Sequence, residues 1–322
     1  MTGDVLVTGG SGFIGSHLAD RLVAEGARVR VLDPRPPTSD ADVEWIDGDV
    51  RDADTVRRAA RGTSSILHLA SVVGVDALLA DPVSAIDVAV NGTMRVLDAA
   101  SDEGASVVHL STSEVLGTNP AVPWSEDSDR VLGSSLADRW SYGTAKATAE
   151  HLVLAWSRTR KVPATIIRPF NVYGPRQEPR FVLASMVAAA LGGGPILVDG
   201  DGSQTRCFTY IDDMVEGMVR VVRSPGSVPI VHLGSEVETS ILRVAELVQA
   251  ATGGVEIAFR SHDDRWGGLV PEIPRRIPDA SVARAVFGWQ ATTPLEAGID
   301  QLVAWAAGAD RVPPAASRIA SI

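Results

Sequence analysis

The stretch Thr8-Gly9-Gly10-Ser11-Gly12-Phe13-Ile14-Gly15 constrains this chain more than any other. It follows a short apolar run, Val5-Leu6-Val7, and opens an amphipathic segment over 13–24. A buried strand, a glycine turn and a helix in that order put the helix N-terminus at the carboxyl end of a strand. Unpaired N–H groups and the positive end of the helix dipole then make a site for phosphate. Glycines at 9, 12 and 15 let the backbone turn tightly and approach a pyrophosphate, with Phe13 and Ile14 alongside. A glycine triplet alone also fits an ordinary turn. Here a second strand, Val29-Arg30-Val31-Leu32, ends at Asp33, eighteen residues beyond Gly15. A carboxylate there accepts from both ribose hydroxyls and repels a 2′-phosphate, which predicts NAD rather than NADP. Arg35 is the one neighbour that argues the other way.

The alternation continues downstream. Short apolar runs at 65–68, 107–110 and 164–167 are separated by helical patterns near 52–60, 82–103 and 142–159. Strands and helices in alternation predict an α/β fold, a doubly wound parallel sheet of Rossmann type covered on both faces. His68-Leu69-Ala70-Ser71 closes the fourth strand, at the end where ligands bind in such sheets, so Leu69 and Ala70 join the cofactor residues. His68 is read as an ordinary buried histidine. Asp49 and Val50, after the third strand, either address the adenine edge or form a solvated helix cap before Arg51.

Glycine and proline clusters at 192–195 and 200–203 then break the pattern. Beyond them the sequence predicts helices over 210–222, 241–252, 279–286 and 294–306, strands at 230–232 and near 255–259, and a loop over 261–278. The organisation expected is an NAD-binding domain over 1–170, to which about 205–235 returns. A smaller C-terminal α/β substrate domain is expected from 171–204 and 236–308, with a mobile tail over 309–322.

Composition narrows the function. The 322 residues are 45% hydrophobic and 21% charged, as in a globular enzyme. A net charge of -11 disfavours a nucleic-acid partner. The one cysteine, Cys207, can form neither an internal disulfide nor a structural zinc site by itself, and is read as a small buried hydrophobe. No metal site is expected. No run of eighteen apolar residues is present, and the first residues lack a basic flank, so a cytoplasmic protein without a membrane partner is the expectation.

Tyr142-Gly143-Thr144-Ala145-Lys146 puts a phenol and an amine four residues apart, on one face of a helix. A phenol is a poor base at neutral pH. A neighbouring ammonium and an oxidised nicotinamide would stabilise its anion, letting it take the proton of a sugar hydroxyl whose carbon gives up hydride. Ser111-Thr112-Ser113-Glu114 lies behind the fifth strand and completes the constellation.

From about residue 4 to 306 the chain resembles the extended short-chain dehydrogenase/reductases, specifically the NAD-dependent sugar-nucleotide epimerase/dehydratase family. The resemblance rests on the glycine run, Tyr142 with Lys146, Arg168-Pro169-Phe170-Asn171-Val172-Tyr173-Gly174-Pro175 and the stretch around Arg206. It implies that Tyr142 is the acid/base, that Lys146 holds the nicotinamide ribose and that Thr112 bonds the sugar near C4. Asn171 would touch the substrate diphosphate. Arg206 is the expected diphosphate clamp, because a guanidinium fork matches phosphate. Arg276 is a second candidate and Arg180 a third, while Arg275 reads equally well as a solvated charge. The family's usual homodimer would use helices at about 84–103 and 142–159.

Within the family, 4,6-dehydratases carry adjacent Asp and Glu where this chain has Ser113 and Glu114. Serine is no comparable acid, so expulsion of water from C6 loses its donor. Ser-Thr-Ser-Glu-Val, Gly200-Asp201-Gly202-Ser203-Gln204-Thr205-Arg206, Arg139-Trp140-Ser141-Tyr142 and the run 273–279 are similar to UDP-glucuronate decarboxylases. Leu116 departs from the usual tyrosine, which puts the pocket shape in doubt. The implied reaction is oxidation at C4 of UDP-glucuronate, loss of CO2 from the β-keto acid, then reduction or release of the ketone. Glu114 and Ser113 would face C5, with the ionisation of Glu114 open. The alternatives are a UDP-glucuronate 4-epimerase and, third, an NDP-glucose 4,6-dehydratase. A non-catalytic NAD-sensing scaffold is disfavoured by the presence of both Tyr142 and Lys146.

Overall fold

A computed structural model describes residues 3–39, 41–261 and 273–308. The expected tail over 309–322 lies outside them. The first half runs β1 (Asp4–Thr8), α1 (Phe13–Ala24), β2 (Arg28–Leu32), β3 (Glu44–Ile46), α2 (Ala53–Ala60) and β4 (Thr63–His68). Then come α3 (Val75–Ala80), α4 (Pro82–Asp87), a π-helical turn (Val88–Gly92), α5 (Thr93–Glu103) and β5 (Ser106–Leu110). A 3-10 turn (Ser113–Leu116) leads through a long loop to α6 (Arg139–Arg160) and β6 (Ala164–Pro169). The second half contains β7 (Val172–Tyr173), α7 (Val182–Leu191), β8 (Ile196–Asp199), β9 (Thr205–Cys207), β10 (Thr209–Tyr210) and α8 (Ile211–Arg223). It ends with β11 (Ile230–Leu233), β12 (Glu238–Ser240), α9 (Ile241–Ala251), β13 (Ile257–Arg260), β14 (Arg275–Arg276), α10 (Ser281–Phe287) and α11 (Leu295–Gly308).

Seven strands make one parallel sheet in the order β11-β6-β5-β4-β1-β2-β3. The chain order reverses between β1 and β4, the place where a crevice opens at the strands' carboxyl ends. Side chains alternate across the sheet as the pleat requires. Val5 and Val7 join the cluster that includes Leu18 and Leu22 of α1 and Met214 of α8. Leu6 and Ile66 face the other way, with Val56 of α2, Val96 of α5 and Val153 of α6. Apolar strands buried on both faces are therefore a doubly wound sheet, as the residue pattern predicts.

Among the features that escaped the residue pattern, two bear on the site. Val182–Leu191 is a helix, but its Val-Leu-Ala-Ser-Met-Val-Ala-Ala-Ala-Leu sequence is apolar almost all round, and no side chain caps its N-terminus. It offers neither a periodic stripe nor a start signal. The second is β14, which lies inside the expected loop over 261–278. This two-residue strand pairs in parallel with β9 and brings Arg276 opposite Arg206. Two residues cannot be recognised as a strand without the partner they pair with.

Candidate active site

A cleft of about 950 Å³ lies at the carboxyl ends of β1, β2, β4 and β5 and reaches the β9–β14 ladder. At its base the glycine loop is built as its residues require. Gly9 has φ of +73°, and a Cβ there would stand 2.7 Å from the Ala70 nitrogen. A Cβ at Gly15 would stand 2.3 Å from the Gly9 carbonyl oxygen. Gly12 begins α1 without a side-chain cap, leaving the first-turn N–H groups for a ligand. Phe13, Ile14, Leu69 and Ala70 line the same cleft. Gly15→Ala is expected to weaken NAD binding by about tenfold or more, since a roughly 1.4 kcal/mol distortion suffices for that. Fluorescence titration with NAD measures it.

Asp33 is buried at the end of β2. Its carboxylate accepts from the backbone N–H groups of Ser11 (3.2 Å) and Arg35 (2.9 Å), fixing it at the glycine loop. The Arg35 guanidinium is placed between two acids, 3.7 Å from both Asp33 and Glu178. It therefore sits in an acidic surround that opposes a 2′-phosphate. This cradle fits a dinucleotide without one.

The position of Asp49 settles its alternative readings in part. Asp49 lines the cleft, with its carboxylate paired to Arg51 at 2.6 Å. The cap of α2 is Asp52, which accepts from the N–H groups of Asp54 and Thr55. Val50 is buried, and a Cβ on Gly92 would lie 2.8 Å from it. His68 is the ordinary buried histidine expected, with a fixed tautomer. Thr93 Oγ1 donates to the Ala89 carbonyl (2.6 Å), so it accepts from His68 Nε2–H (3.1 Å). Nδ1 then accepts from Thr8 Oγ1 at 2.7 Å.

On α6, Tyr142, Lys146 and Glu150 follow one another at i, i+4 and i+8 on one face. A Cβ on Gly143 would lie 2.9 Å from the Glu114 carbonyl, so this glycine lets α6 lie directly on the 3-10 turn. Tyr142, Thr112, Ser113 and Glu114 all line the cleft. Thr112 Oγ1 accepts from the Glu114 N–H (3.2 Å), which leaves its own proton for another acceptor. Burial raises the Tyr142 pKa well above that of an ordinary phenol, and the Glu114 charge adds to this. The Ser71 and Thr112 hydroxyls oppose the shift. Among the described residues, buried Ser71 Oγ has no closed hydrogen bond. Burial thus dominates among this chain's own groups, and the expected lowering falls to the positive charge of the oxidised nicotinamide.

Lys146 is buried at 1% exposure, and its Nζ donates to the Leu110 carbonyl at 2.6 Å. Burial lowers its pKa to about 8, against an opposing pull from Glu150. Between about pH 8 and the ordinary lysine value, the unfolded chain therefore holds a proton that the folded chain lacks. Stability rises with pH across that window, by about one proton's worth of slope. A Lys146→Met variant, compared with the parent in denaturant melts across this range, should lack that contribution.

Beneath the pair lies a closed ionic network. Glu150 receives two bonds from Arg168 (2.9 and 2.8 Å) and one from Ser111 Oγ (2.5 Å). Arg168 also donates to the Glu126 carbonyl and to His232 Nε2. His232 Nδ1–H donates to the Trp124 carbonyl. Trp124 is bonded in turn to Ile277 and Asp279, just beyond Arg276.

Toward the β9–β14 ladder, Glu114 is 3.0 Å from Arg276 Nη1 and 3.7 Å from Arg139 Nη2. Burial alone would raise its pKa. Arg276, Arg139 and Arg206 together overcome burial and pull it below the usual carboxylate range. Arg139 is the member of this group not singled out from the sequence. Its signal was present three residues before Tyr142, one helical turn away on the same face.

The remaining candidates divide. Asn171, at φ of +34°, lines the cleft while its Nδ2 donates to the Cys207 carbonyl (3.1 Å). Arg206 lines the cleft, braced by the Thr205 and Pro274 carbonyls. Arg180 also lines it but is paired to Glu178 at 3.0 Å and packs over Phe181. Arg275 lies on the surface in a bidentate pair with Glu238. Burial pushes the Cys207 thiol up to about 12 and leaves it inert. Leu116 packs with Val115, Trp124, Trp140 and Phe170 rather than facing the cleft, so the expected effect on pocket shape does not arise there.

Residues 5–234 match the model of the NAD dependent epimerase/dehydratase family, and the chain belongs to that family. It is 33% identical to a UDP-N-acetyl-alpha-D-glucosaminuronate decarboxylase of Bacillus cytotoxicus, over 93% of this chain and 96% of that one. It is 34% identical to a UDP-glucose 4-epimerase of Mycolicibacterium smegmatis, over 92% and 96%. Among solved structures, MoeE5 in complex with UDP-glucuronic acid and NAD superposes with a TM-score of 0.83. That match has 30% identity and covers 94% of this chain and 99% of the other. The protein is an NAD-dependent enzyme of the sugar-nucleotide epimerase/dehydratase class. Among the described residues no helix is long and apolar enough to cross a membrane.

Proposed function

We propose that this enzyme decarboxylates a UDP-uronate, UDP-glucuronate being the simplest, to a UDP-pentose or its 4-keto precursor. The observation that carries this reading is the Glu114 carboxyl beside Ser113, 3.0 Å from Arg276 and 3.7 Å from Arg139 in the cleft. A carboxyl paired to arginine next to a serine provides no acid to expel a C6 hydroxyl, which argues against dehydration. The likeness to a uronate decarboxylase agrees.

In this reading the glycine loop and Asp33 hold NAD, which supplies reversible hydride acceptance at the sugar's C4. Tyr142 takes the C4 hydroxyl proton. The resting phenol is neutral, so this requires positive charge beside it, carried by Lys146 and the oxidised cofactor. The resulting ketone is β to the carboxylate. The C5–C6 bond breaks, CO2 leaves, and the electron pair spreads onto the C4 oxygen as an enolate. Tyr142, now protonated, and Thr112 donate to that oxygen and lower the barrier where charge develops. A proton then reaches C5, guided by Glu114 and water, before C4 is reduced. Arg206 and Asn171 hold the diphosphate.

A 4-epimerase acting on the same uronate is the second reading, supported by the mycobacterial relative. It needs no chemistry at C5. Glu114→Gln separates the two: a decarboxylase should lose about 10²-fold in kcat, the scale of a missing proton-transfer group, and an epimerase should retain most of its rate. Mass spectrometry of the product with UDP-glucuronate should show a sugar nucleotide lighter by one CO2, or by CO2 and two hydrogens if the ketone leaves with the hydride still on the cofactor. An isomer of unchanged mass would replace this reading with the epimerase.

A further inference from the structure

Glu150 is buried one helical turn beyond Lys146 on the same face of α6, yet the two are not paired. Lys146 Nζ donates to the Leu110 carbonyl. Glu150 Oε1 accepts from Arg168 Nε (2.9 Å) and Ser111 Oγ (2.5 Å), and Oε2 accepts from Arg168 Nη2 (2.8 Å). Arg168 comes from β6 and reaches away, to the Glu126 carbonyl and His232. The pair is therefore a dipole with its negative end on the helix that carries Lys146. A direct Lys146–Glu150 bond would occupy the ammonium's donors; here they are spared while the carboxylate acts through space. From the sheet, His68 on β4 and His109 on β5 also feel Lys146, and burial holds both far below the ordinary histidine range. Glu114, on the 3-10 turn, is met by Arg276 and Arg139. On the helices packed against α6, Asp87 of α4 is taken by Arg51 and Asn91, and Asp102 of α5 faces Arg57. Arg95 and Asp98 of α5 are half-buried. Among the described groups, Glu150 is the charge that acts on Lys146.

We propose that Glu150 is a positioning residue of this enzyme: locked by Arg168 and Ser111, its carboxylate supplies the counter-charge that keeps Lys146 an ammonium beside Tyr142. The proposal rests on the reading in which Tyr142 takes the sugar proton next to a charged Lys146. Burial works against that charge, bringing the Lys146 pKa down to about 8, and Glu150 opposes the fall. Without Glu150 the ammonium would face Arg168 uncompensated and lose its proton at lower pH. Without Arg168 the carboxylate would act unopposed, and Lys146 would keep its proton to higher pH. Both changes break the same buried pair. A merely structural role would move the two variants alike, whereas the charge role moves them in opposite directions.

Lys146 and Lys161 are the chain's two lysines, and Lys161 is exposed at the end of α6. Lysine isotope-labelled at Cε therefore gives one NMR signal for the site and one internal reference. In the NAD-loaded enzyme, Glu150→Gln should lower the Lys146 midpoint by about one pH unit or more, the scale of one opposite charge nearby in a protein interior. Arg168→Met should raise it, and Glu150→Asp, which keeps the charge, should stay near the parent. Lys161 should not move. If Glu150→Gln alone does not fold, combining it with Arg168→Met removes both charges, and the Lys146 midpoint should still fall below the parent's. A midpoint unmoved by loss of Glu150, or moved the same way in both single variants, overturns the proposal. The alkaline limb of kcat/KM on the same proteins keeps the two readings apart. A limb that follows the midpoint supports both. A limb that stays while the midpoint moves defeats the role given to Lys146 in the reaction and leaves the charge coupling standing.

Discussion

Replacing Tyr142 by phenylalanine is expected to lower kcat by about 10³- to 10⁴-fold, the upper range for loss of a positioned acid/base that also stabilises an oxyanion. NAD binding should persist, because the glycine loop and Asp33 lie apart from the phenol on other elements. The substitution removes one oxygen from a ring that α6 already holds, so the fold should be retained. Steady-state kinetics with a parallel NAD titration and circular dichroism would check each part. Retained turnover would mean that the proton of the sugar hydroxyl leaves by another route, and the role given to α6 would be wrong.

The largest effect on stability is expected at Arg168. Its ion pair with Glu150 is almost wholly buried, and Arg168→Met would strand a carboxylate whose other bond is to Ser111. Stranding a buried charge costs about 3–5 kcal/mol. The denaturant midpoint should fall accordingly. Adding Glu150→Leu should recover much of the loss, because apolar replacement of a whole buried pair is often neutral. A double variant as unstable as the single one would show that shape rather than charge is what this network supplies. Because the network runs on through His232 and Trp124 to the segment behind Arg276, the single variant should also disturb the cleft around Arg276.

What could be read without coordinates follows a physical rule. The glycine loop, Asp33 and the Tyr142–Lys146 spacing are legible because each is local: a turn, a strand end, one helical repeat. Apolar strands alternating with helices likewise define the sheet, since its central strands β1, β4, β5 and β6 are buried on both faces. Illegible parts depend on distant pairing. Arg276 meets Arg206 only through a two-residue ladder between β14 and β9. Asp52 rather than Asp49 caps α2, a choice between two similar acids that only backbone geometry decides. Arg139 stood in plain view three residues before Tyr142, but its meaning comes from Arg276 and Glu114 on other elements. The part that burial plays at Tyr142 was illegible for a related reason, since charges can be counted in a sequence while burial cannot.

The measurement that bears most directly on the whole account is incubation of the NAD-loaded enzyme with carboxyl-labelled UDP-glucuronate in heavy water. Labelled CO2 should be released, the pentose product should carry one deuterium at C5, and both should vanish in Tyr142→Phe. If the label stays in the sugar nucleotide, or leaves equally well without the phenol, then oxidation at C4 is not what loosens the C5–C6 bond.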